Sequence, residues 1–488
     1  MVWYKVAGAR AALLFSLGVL SLAVLLLSVA CGGRQRETVG GGRPNIVLVM
    51  VDDLDLRTME SLPRLRRLLA VRGTTFENAF VTDALCCPSR ATVLRGQYAH
   101  NHLIRGNEPP RGGFEKFRRL GLEDSTVATW LKAAGYRTAY FGKYMNGYGR
   151  GETHVPPGWD EWHAVAGNYL SSWYNDNGHV RYYDPAFYND TDLVADEALS
   201  YLRRTAGRGA PFFVMLAPRA PHQPAVPPRR YADAFPEADL SRPPSFDERD
   251  VSDKPRWVRE RPRLGKRKLS FMASLHRRRL RSMLAVEDMV GRLVGTLRES
   301  GELENTYIFF TSDNGFHMGE HRLPEGKWTA YEEDIRVPLV VRGPGVPEGR
   351  ELTHLVLNND LAPTFGQLGG ARVPQWVDGR SLVPLLRRGS PPAPGDWRSA
   401  FLVEAASHRD SGRPGLVAVR TRRHLYVEYE SGERELYDLR RDPYQLRNLY
   451  RRASGELVRD LRERLKALEG CRAEGCRVAE GPGRVGGR

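Results

Sequence analysis

Two long apolar runs, each ending in acidic or amide side chains, constrain this chain more than any other feature. Residues 44–55, PNIVLVMVDDLD, and residues 306–315, TYIFFTSDNG, are apolar at successive positions and not at alternate ones. A strand of that kind is buried on both faces, as parallel strands are when helices cover each side. Ligands of such sheets gather at the carboxyl ends of the strands. Asp52 and Asp53 stand at one such end, Asp313 and Asn314 at the other. Four oxygen donors without imidazole or thiolate suit a hard cation, calcium or magnesium. A single acid pair after a strand is more often a turn former or a helix cap; two pairs, each closing an apolar strand, are harder to read that way.

The same alternation continues along the chain. Residues 61–73, SLPRLRRLLAVRG, read as a helix, and 125–149, STVATWLKAAGYRTAYFGKYMNGYG, as helix, glycine stop, strand and loop. PFFVMLAPRAPHQP, 211–224, is a strand entering a proline-rich turn, and 281–301, RSMLAVEDMVGRLVGTLRESG, has helical apolar spacing with a glycine at its end. Strands alternating with helices predict an α/β fold, a mostly parallel sheet sandwiched by helices. Between them, residues 225–270 form an irregular proline- and charge-rich insertion, the kind of segment that serves as a lid or surface excursion. From FLVEAASH onward, short alternating segments predict a small antiparallel sheet with a last helix, GELVRDLRERLKALEG, packed on it. The domain expectation is therefore a main body over 44–392, a C-terminal subdomain over 393–470 and a tail over 471–488.

A chain of 488 residues that is 41% hydrophobic can bury a large core. Its net charge of +15 suits an anionic substrate or surface, but the arginines are spread through the sequence and no nucleic-acid module is present, so no nucleic-acid partner is expected. Solvated arginines explain the balance equally well. Residues 1–30 pair a short segment containing Lys5 and Arg10 with twenty uncharged residues, a signal sequence or membrane anchor. The following LSVACGG resembles a bacterial lipoprotein box with Cys31 as the lipidated residue, with Ser28 where leucine is usual. Residues 31–43 are glycine-rich and read as a flexible tether. The folded part is thus expected outside the cytoplasmic membrane, either secreted or held there by the N-terminal anchor or lipid. In that compartment Cys471 and Cys476 are the best candidates for a local disulfide, two free thiols in a loose tail being the other possibility.

The remaining cysteines, Cys86 and Cys87, are adjacent in ALCCPSRATVLRG. Neighbours bridge each other poorly, and the spacing lacks the gap of thiolate metal pairs. They are either two small buried residues or one reactive thiol beside a spectator. Cys86, Pro88, Ser89, Arg90, Leu94 and Gly96 match the sulfatase signature Cys-x-Pro-Ser-Arg-x-x-x-Leu-x-Gly without a gap. With PNIVLVMVDD, GKYMNGYG, APHQP, TSDNGFHMGEH and GKWTAYEEDIRVPLVVRGPG, the sequence resembles a type I, formylglycine-dependent sulfatase of the alkaline-phosphatase-like superfamily. The double cysteine and the GKYMN form are most similar to the glucosamine-6-sulfatase branch.

The resemblance implies that a formylglycine-generating enzyme converts Cys86 to formylglycine, leaving Cys87 a spectator. It implies hydrolysis of sulfate monoesters, on sugars or aryl groups, through a covalent formylglycine-sulfate intermediate. Asp52, Asp53, Asp313 and Asn314, with position 86, match the ligands of one calcium ion. Arg90 matches the group that holds the formylglycine, Lys143 the lysine between it and the sulfate, and His222 and Lys327 the groups that bind sulfate and assist the leaving oxygen. One departure is evident: Asn146 follows Lys143 where many sulfatases carry a histidine base. His317 and His321 are possible substitutes, though solvated loop histidines are a simpler account of both. Two other functions fit parts of the sequence. A phosphonate monoester or phosphodiester hydrolase of the same superfamily would be expected to read Asp-His-Gly where this chain reads Asp313, Asn314, Gly315. A non-catalytic lipoprotein binding sulfated polysaccharide would have no need of the conversion signature.

Overall fold

Asn45–Val51 (β1) is the innermost strand of a ten-stranded sheet, and its side chains alternate between two separate cores. Ile46, Leu48 and Met50 enter one, Val47, Val49 and Val51 the other, all fully buried. The remaining strands of the sheet are Thr74–Phe76 (β2), Arg137–Gly142 (β3), Glu161–Val165 (β4), Trp173–Asp176 (β5), His179–Tyr182 (β6), Phe212–Ala217 (β7), Thr306–Ser312 (β8), Leu339–Arg342 (β9) and Arg350–Leu352 (β10). The order across the sheet is β10-β2-β9-β8-β1-β7-β3-β4-β5-β6. The five central strands from β8 to β4 are parallel, and β9, β5 and β6 join antiparallel toward the edges. This computed structural model describes residues 42–167, 172–408 and 412–481.

Helices cover both faces, as the two-sided burial of β1 requires. Cys86–Arg95 (α1), Val127–Ala133 (α2) and a later helix, Leu361–Leu368, pack on the Ile46 side through Ala91, Leu94, Leu131 and Phe365. Asp190–Thr205 (α3) and Lys266–Glu299 (α4) pack on the Val47 side through Val194, Leu202, Met283 and Val290. The fold is thus the α/β sandwich expected from the sequence. A separate antiparallel sheet of four strands, Ala400–Ala405, Leu416–Thr421, His424–Tyr429 and Arg434–Asp438, follows, with the helix Gly455–Glu469 burying Leu461 and Leu465 against it. Cys471 and Cys476 are joined by a disulfide. The leader at 1–30, Cys31 and nearly all of the 31–43 tether lie outside the described residues. Among the described residues no helix is long and apolar enough to cross a membrane.

Three local expectations change. The helix expected over 61–73 starts only at Pro63, which suits a first helical turn and restricts the residue before it, and it widens over Arg66–Ala70, where Val71 N donates to Arg66 O at 3.0 Å. The helix expected from 281 begins at Lys266. Its first half is so rich in charge that the apolar stripe of Met272, Leu275 and Leu280 is easily overlooked. The insertion packs against that half: Arg277 donates to Ala238 O (3.2 Å), Arg278 to Pro224 O (3.0 Å) and Arg281 to Ala234 O (2.6 Å). Helix α3, sixteen residues with an Asn189 cap, had no counterpart in the sequence reading.

Arg398 joins the main body to the end of the chain. Fully buried, it donates both Nη groups to Asp360 (2.7 Å each) and Nε to Glu480 (2.8 Å). Removing one member of such a network strands the other charges in low dielectric, at about 3–5 kcal/mol. Arg398→Met is therefore expected to lower the melting temperature by several degrees in a thermal unfolding scan. An unchanged transition would mean that solvent reaches Asp360 and Glu480.

Candidate active site

The register of β1 against β8 builds the site. Val51 pairs with Ser312, so Asp52 and Asp313 are the next residues on adjacent parallel strands, and Asp313 N donates to Val51 O at 3.1 Å. Asp53 turns back at φ 65°, its N–H donating to Asp313 Oδ1 (3.1 Å), while Asn314 Nδ2 donates to Asp53 Oδ1 (2.6 Å). On the other side of β1, strand β7 leads into a loop whose Pro221 bridges Asp52, bringing His222 beside Asp53. Strand β3 ends at Gly142, where a Cβ would lie 2.2 Å from Ala217 O; the glycine lets Lys143 N reach that carbonyl at 2.7 Å. Four strand ends thus converge on one point.

Helix α1 supplies the rest. Leu85 caps it, Cys86 occupies its first position and Gly96 ends it at φ 68°. All ten of its residues are buried, so the signature segment is part of the core as well as of the site. Arg90 is 1% exposed; it donates Nε to Asp313 Oδ2 (2.8 Å) and Nη1 to Lys143 O (2.6 Å). Lys143 Nζ reaches Asp52 Oδ2 at 2.6 Å. Lys327 Nζ contacts Asp53 Oδ1 and donates to Cys86 Sγ at 2.8 Å, and His222 Nε2 is 3.5 Å from Asp53 Oδ2. Every residue singled out from the sequence as a site member, Asp52, Asp53, Cys86, Arg90, Lys143, His222, Asp313, Asn314 and Lys327, therefore meets in this cluster.

Three carboxylates in so small a volume are tolerable only because three cations are interleaved with them. Burial pushes the Asp52 carboxyl up, but Lys143, His222, Arg90 and Lys327 together hold it well below the usual range. Asp53 is likewise held low, Lys327 overcoming the effect of burial. Asp313 shows the opposite balance: burial and the neighbouring Asp52 raise it to about 6 against Arg90 and Lys143. Burial lowers His222 to about 4, so its imidazole is neutral at neutral pH, with Nδ1 at 2.5 Å from Gln223 O. Asn314 Oδ1 is buried and accepts no hydrogen bond among the described residues. Ligating atoms of Asp52, Asp53, Cys86 and His222 lie within 4.8 Å of one another. That group includes a thiol and an imidazole; the oxygen donors of the cluster are the carboxylates of Asp52, Asp53 and Asp313 and the unused amide oxygen of Asn314, and those oxygens fit a hard cation such as calcium.

Cys87 faces away from these charges. Its Sγ accepts from Asn146 N (3.0 Å), and its own N–H donates to Asn107 Oδ1 (3.0 Å). Asn146 thus packs on Cys87, not on Cys86. Neither loop histidine is solvated. His317 Nδ1 bonds Asp334 at 2.8 Å, and His321, fully buried, has Nδ1 2.7 Å from Glu248 and is lowered to about 3 by burial and then Lys254. One residue was missed from the sequence: buried Arg279 of α4 donates to Asp53 O (2.6 Å) and Asp55 Oδ2 (2.9 Å), tying that helix to the turn bearing Asp53. Nothing in HRRRLR separates it from its neighbours.

Buried acids and bases converge here at the carboxyl ends of a mostly parallel sheet, where α/β scaffolds carry their ligand sites. The model of the Sulfatase family matches residues 44–371, and that of N-sulphoglucosamine sulphohydrolase, C-terminal, matches residues 319–470. The chain is 35% identical to N-acetylglucosamine-6-sulfatase of Homo sapiens over 505 residues, covering 93% of this chain and 90% of that one. It is 32% identical to an arylsulfatase of Volvox carteri over 491 residues, covering 89% and 76%. The solved structure of BT4656 in complex with its substrate D-glucosamine-2-N,6-O-disulfate superposes with a TM-score of 0.77 at 25% identity, covering 91% of this chain and 100% of that one. A phosphonate monoester hydrolase of Agrobacterium radiobacter shares the fold, with a TM-score of 0.67 at 23% identity, over 87% of this chain and 95% of that one. The chain belongs to the sulfatase family, as a type I member closely related to the glucosamine-6-sulfatase and arylsulfatase branch. It is a hydrolase of the sulfatase family.

The two thiols of the unconverted chain differ in environment, and alkylation can read this. Burial, then the neighbouring Cys86, raises Cys87 to about 12, leaving on the order of one thiolate in ten thousand at pH 8. Native protein treated with iodoacetamide at that pH is expected to stay unlabelled at Cys87 by peptide mass, and to be labelled there after denaturation. Rapid labelling of the native protein would place Cys87 in a solvated position.

Proposed function

We propose that the protein is a formylglycine-dependent sulfatase that releases inorganic sulfate from a sulfated sugar, with aryl sulfates as serviceable test substrates. The observation that carries this reading is the contact between Lys327, Cys86 and the buried acids, at the head of a helix bearing the intact conversion signature. The substrate class is supported by relatives described as N-acetylglucosamine-6-sulfatases and by the glucosamine disulfate bound to BT4656.

A formylglycine hydrate at position 86 supplies what a thiol lacks: two hydroxyls on one carbon, one to attack sulfur as the alcohol departs, the other to expel inorganic sulfate by C–O cleavage. A calcium ion held by Asp52, Asp53, Asp313 and Asn314 with position 86 would supply positive charge to the attacking hydroxyl and the sulfate oxygens. The chain's own cations complete the anion site. Lys143 and Lys327 both stay protonated, burial notwithstanding, because Asp52 and Asp53 respectively hold their charge. In this reading Lys143 steadies the sulfate, and Lys327, with His222, assists departure of the alcohol oxygen, which must gain a proton. Arg90 fixes position 86 by bridging Asp313 and the Lys143 carbonyl. The amino end of α1 adds backbone dipoles favourable to the anion.

The protein is taken to work outside the cytoplasmic membrane, delivered by residues 1–30 and either released or retained through lipid on Cys31. The Cys471–Cys476 disulfide is in keeping with that compartment. A partner enzyme generating formylglycine is required for activity.

Two measurements test this function. The tryptic peptide containing Cys86, from protein made with a formylglycine-generating enzyme, is expected to carry an aldehyde or its hydrate, and the protein to release sulfate from 4-nitrophenyl sulfate. Cys86→Ser should lose turnover outright, since a single hydroxyl cannot complete the elimination. Wild-type turnover by that variant would overturn the mechanism, and faster cleavage of a phenyl phosphonate ester would move the enzyme to the phosphonate branch. Separately, Asn314→Ala is expected to lower both bound calcium, read by atomic emission, and activity by about tenfold or more. A full calcium complement in that variant would remove Asn314 from the ligand set.

A further inference from the structure

Asp53, His222 and Asn314 reach the cluster on three separate connections, which follow β1, β7 and β8. One side chain from outside the cluster touches all three connections. Arg279, fully buried in α4, donates Nη2 to Asp53 O at 2.6 Å and Nη1 to Pro221 O at 3.3 Å. Its guanidinium also lies over the Phe316 ring, 4.3 Å from the centroid. Pro221 is the neighbour of His222, and Phe316 stands two residues beyond Asn314.

These contacts hold backbone in place. Asp53 turns at φ 65°, a left-handed conformation uncommon for any residue with a side chain, so the turn needs outside support. Arg279 supplies it on both sides, because Asp55 Oδ2 also accepts from Nη2 at 2.9 Å, and Asp55 in turn caps the helix Leu56–Glu60 through Thr58 N at 2.8 Å. The loop after β7 is pinned at consecutive carbonyls: Ala220 O accepts from Asp52 N at 3.1 Å, and Pro221 O from Arg279. His222 follows directly, with Nε2 3.5 Å from Asp53 Oδ2. A guanidinium suits this place because its fork reaches separate acceptors while its face stacks on a ring. A lysine ammonium, a point charge on a flexible stem, does neither.

We propose that Arg279 is a positioning residue for the reaction, one that fixes His222 against Asp53 and so aims the imidazole at the departing alcohol oxygen. Arg279 itself lies behind the turn at 0% exposure and touches no substrate. The inference rests on the sulfatase reading of the cluster, in which His222 assists the leaving oxygen. That assistance matters in proportion to the basicity of the leaving group. A sugar hydroxyl needs a proton to depart, whereas 4-nitrophenolate departs without one. Loss of Arg279 therefore penalises a sugar sulfate more than an aryl sulfate, while a general loosening of the fold would penalise both alike.

The test compares wild type, Arg279→Met and Arg279→Lys, all converted at position 86, on N-acetylglucosamine 6-sulfate and 4-nitrophenyl sulfate. In Arg279→Met, kcat on the sugar sulfate should fall about a hundredfold with KM nearly unchanged, and kcat on the aryl sulfate by less than about tenfold. Arg279→Lys, which keeps the charge without the fork, should recover only a minor part of the loss and carries the same comparison if the methionine variant does not fold. Because Arg279 acts through His222, Arg279→Lys should cost the sugar ester less than about threefold in a His222→Ala background. Equal losses on the two esters, fully additive losses in that background, or wild-type kinetics would each overturn the proposal. A readout free of turnover separates it from the sulfatase reading. In unconverted protein labelled at histidine, the His222 ring resonance, identified by its absence from His222→Ala, should shift in Arg279→Lys. If wild type cleaves neither ester, the sulfatase reading fails and this resonance alone decides whether Arg279 places His222; an unmoved signal would sink that role.

Discussion

The in-register pairing of β1 with β8 is the constraint on which the rest of the site depends. It sets Asp52 and Asp313 side by side at zero exposure, and the turns that follow add Asp53 and Asn314. Concentrated negative charge in a dry sheet end cannot stand alone, since each uncompensated ion costs several kcal/mol. Arg90, Lys143 and Lys327 each arrive from a different part of the chain and each contacts one of the three carboxylates. Charge compensation thus assembles the site as well as equipping it. The divergent settings of Asp52 and Asp313, one held low and the other raised, follow from which carboxylate the cations approach most closely.

Several of the chain's arginines bond backbone carbonyls. Arg277, Arg278 and Arg281 hold the insertion to α4, and Arg322 donates to the carbonyls of Glu248, Arg249 and Arg261. An irregular segment must satisfy its polar groups without a ladder, and a guanidinium with five donors does so efficiently. Much of the insertion is therefore strapped down by arginine. A net charge of +15 accordingly reflects how loops are held, in addition to any attraction for an anionic substrate.

The legibility of the sequence followed the physics of each element. Strands buried on both faces announce themselves by continuous apolarity, so β1, β3, β7 and β8 could be read and their acid-bearing ends paired. The outer strands β5 and β6 could not: Trp173–Asp176 is covered along its length without alternation, His179–Tyr182 at the sheet edge buries none of its residues, and the two are joined by the turn between them. Helix α3 was overlooked because its polar face is as prominent as its buried one, and Arg279 because burial of one arginine among several is decided by tertiary packing. The proline at 63 marks where a first helical turn can begin, but nothing in the sequence marks the widening over Arg66–Ala70. The site residues were legible by motif.

The adjacent cysteines show how far one helical step can separate two identical side chains. A residue advances about 100° around a helix, and here that rotation carries Cys86 into the carboxylates and lysines while Cys87 joins the apolar cluster with Tyr144 and Met145. Cys87 also accepts from Asn146 N, so it fastens the loop that begins at Lys143 to the helix that begins at Cys86. The pair is thus a junction: one sulfur faces the charged cluster, the other fastens the loop of Lys143 to the helix. At 1% exposure, Cys86 offers no surface to another protein once α1 has packed.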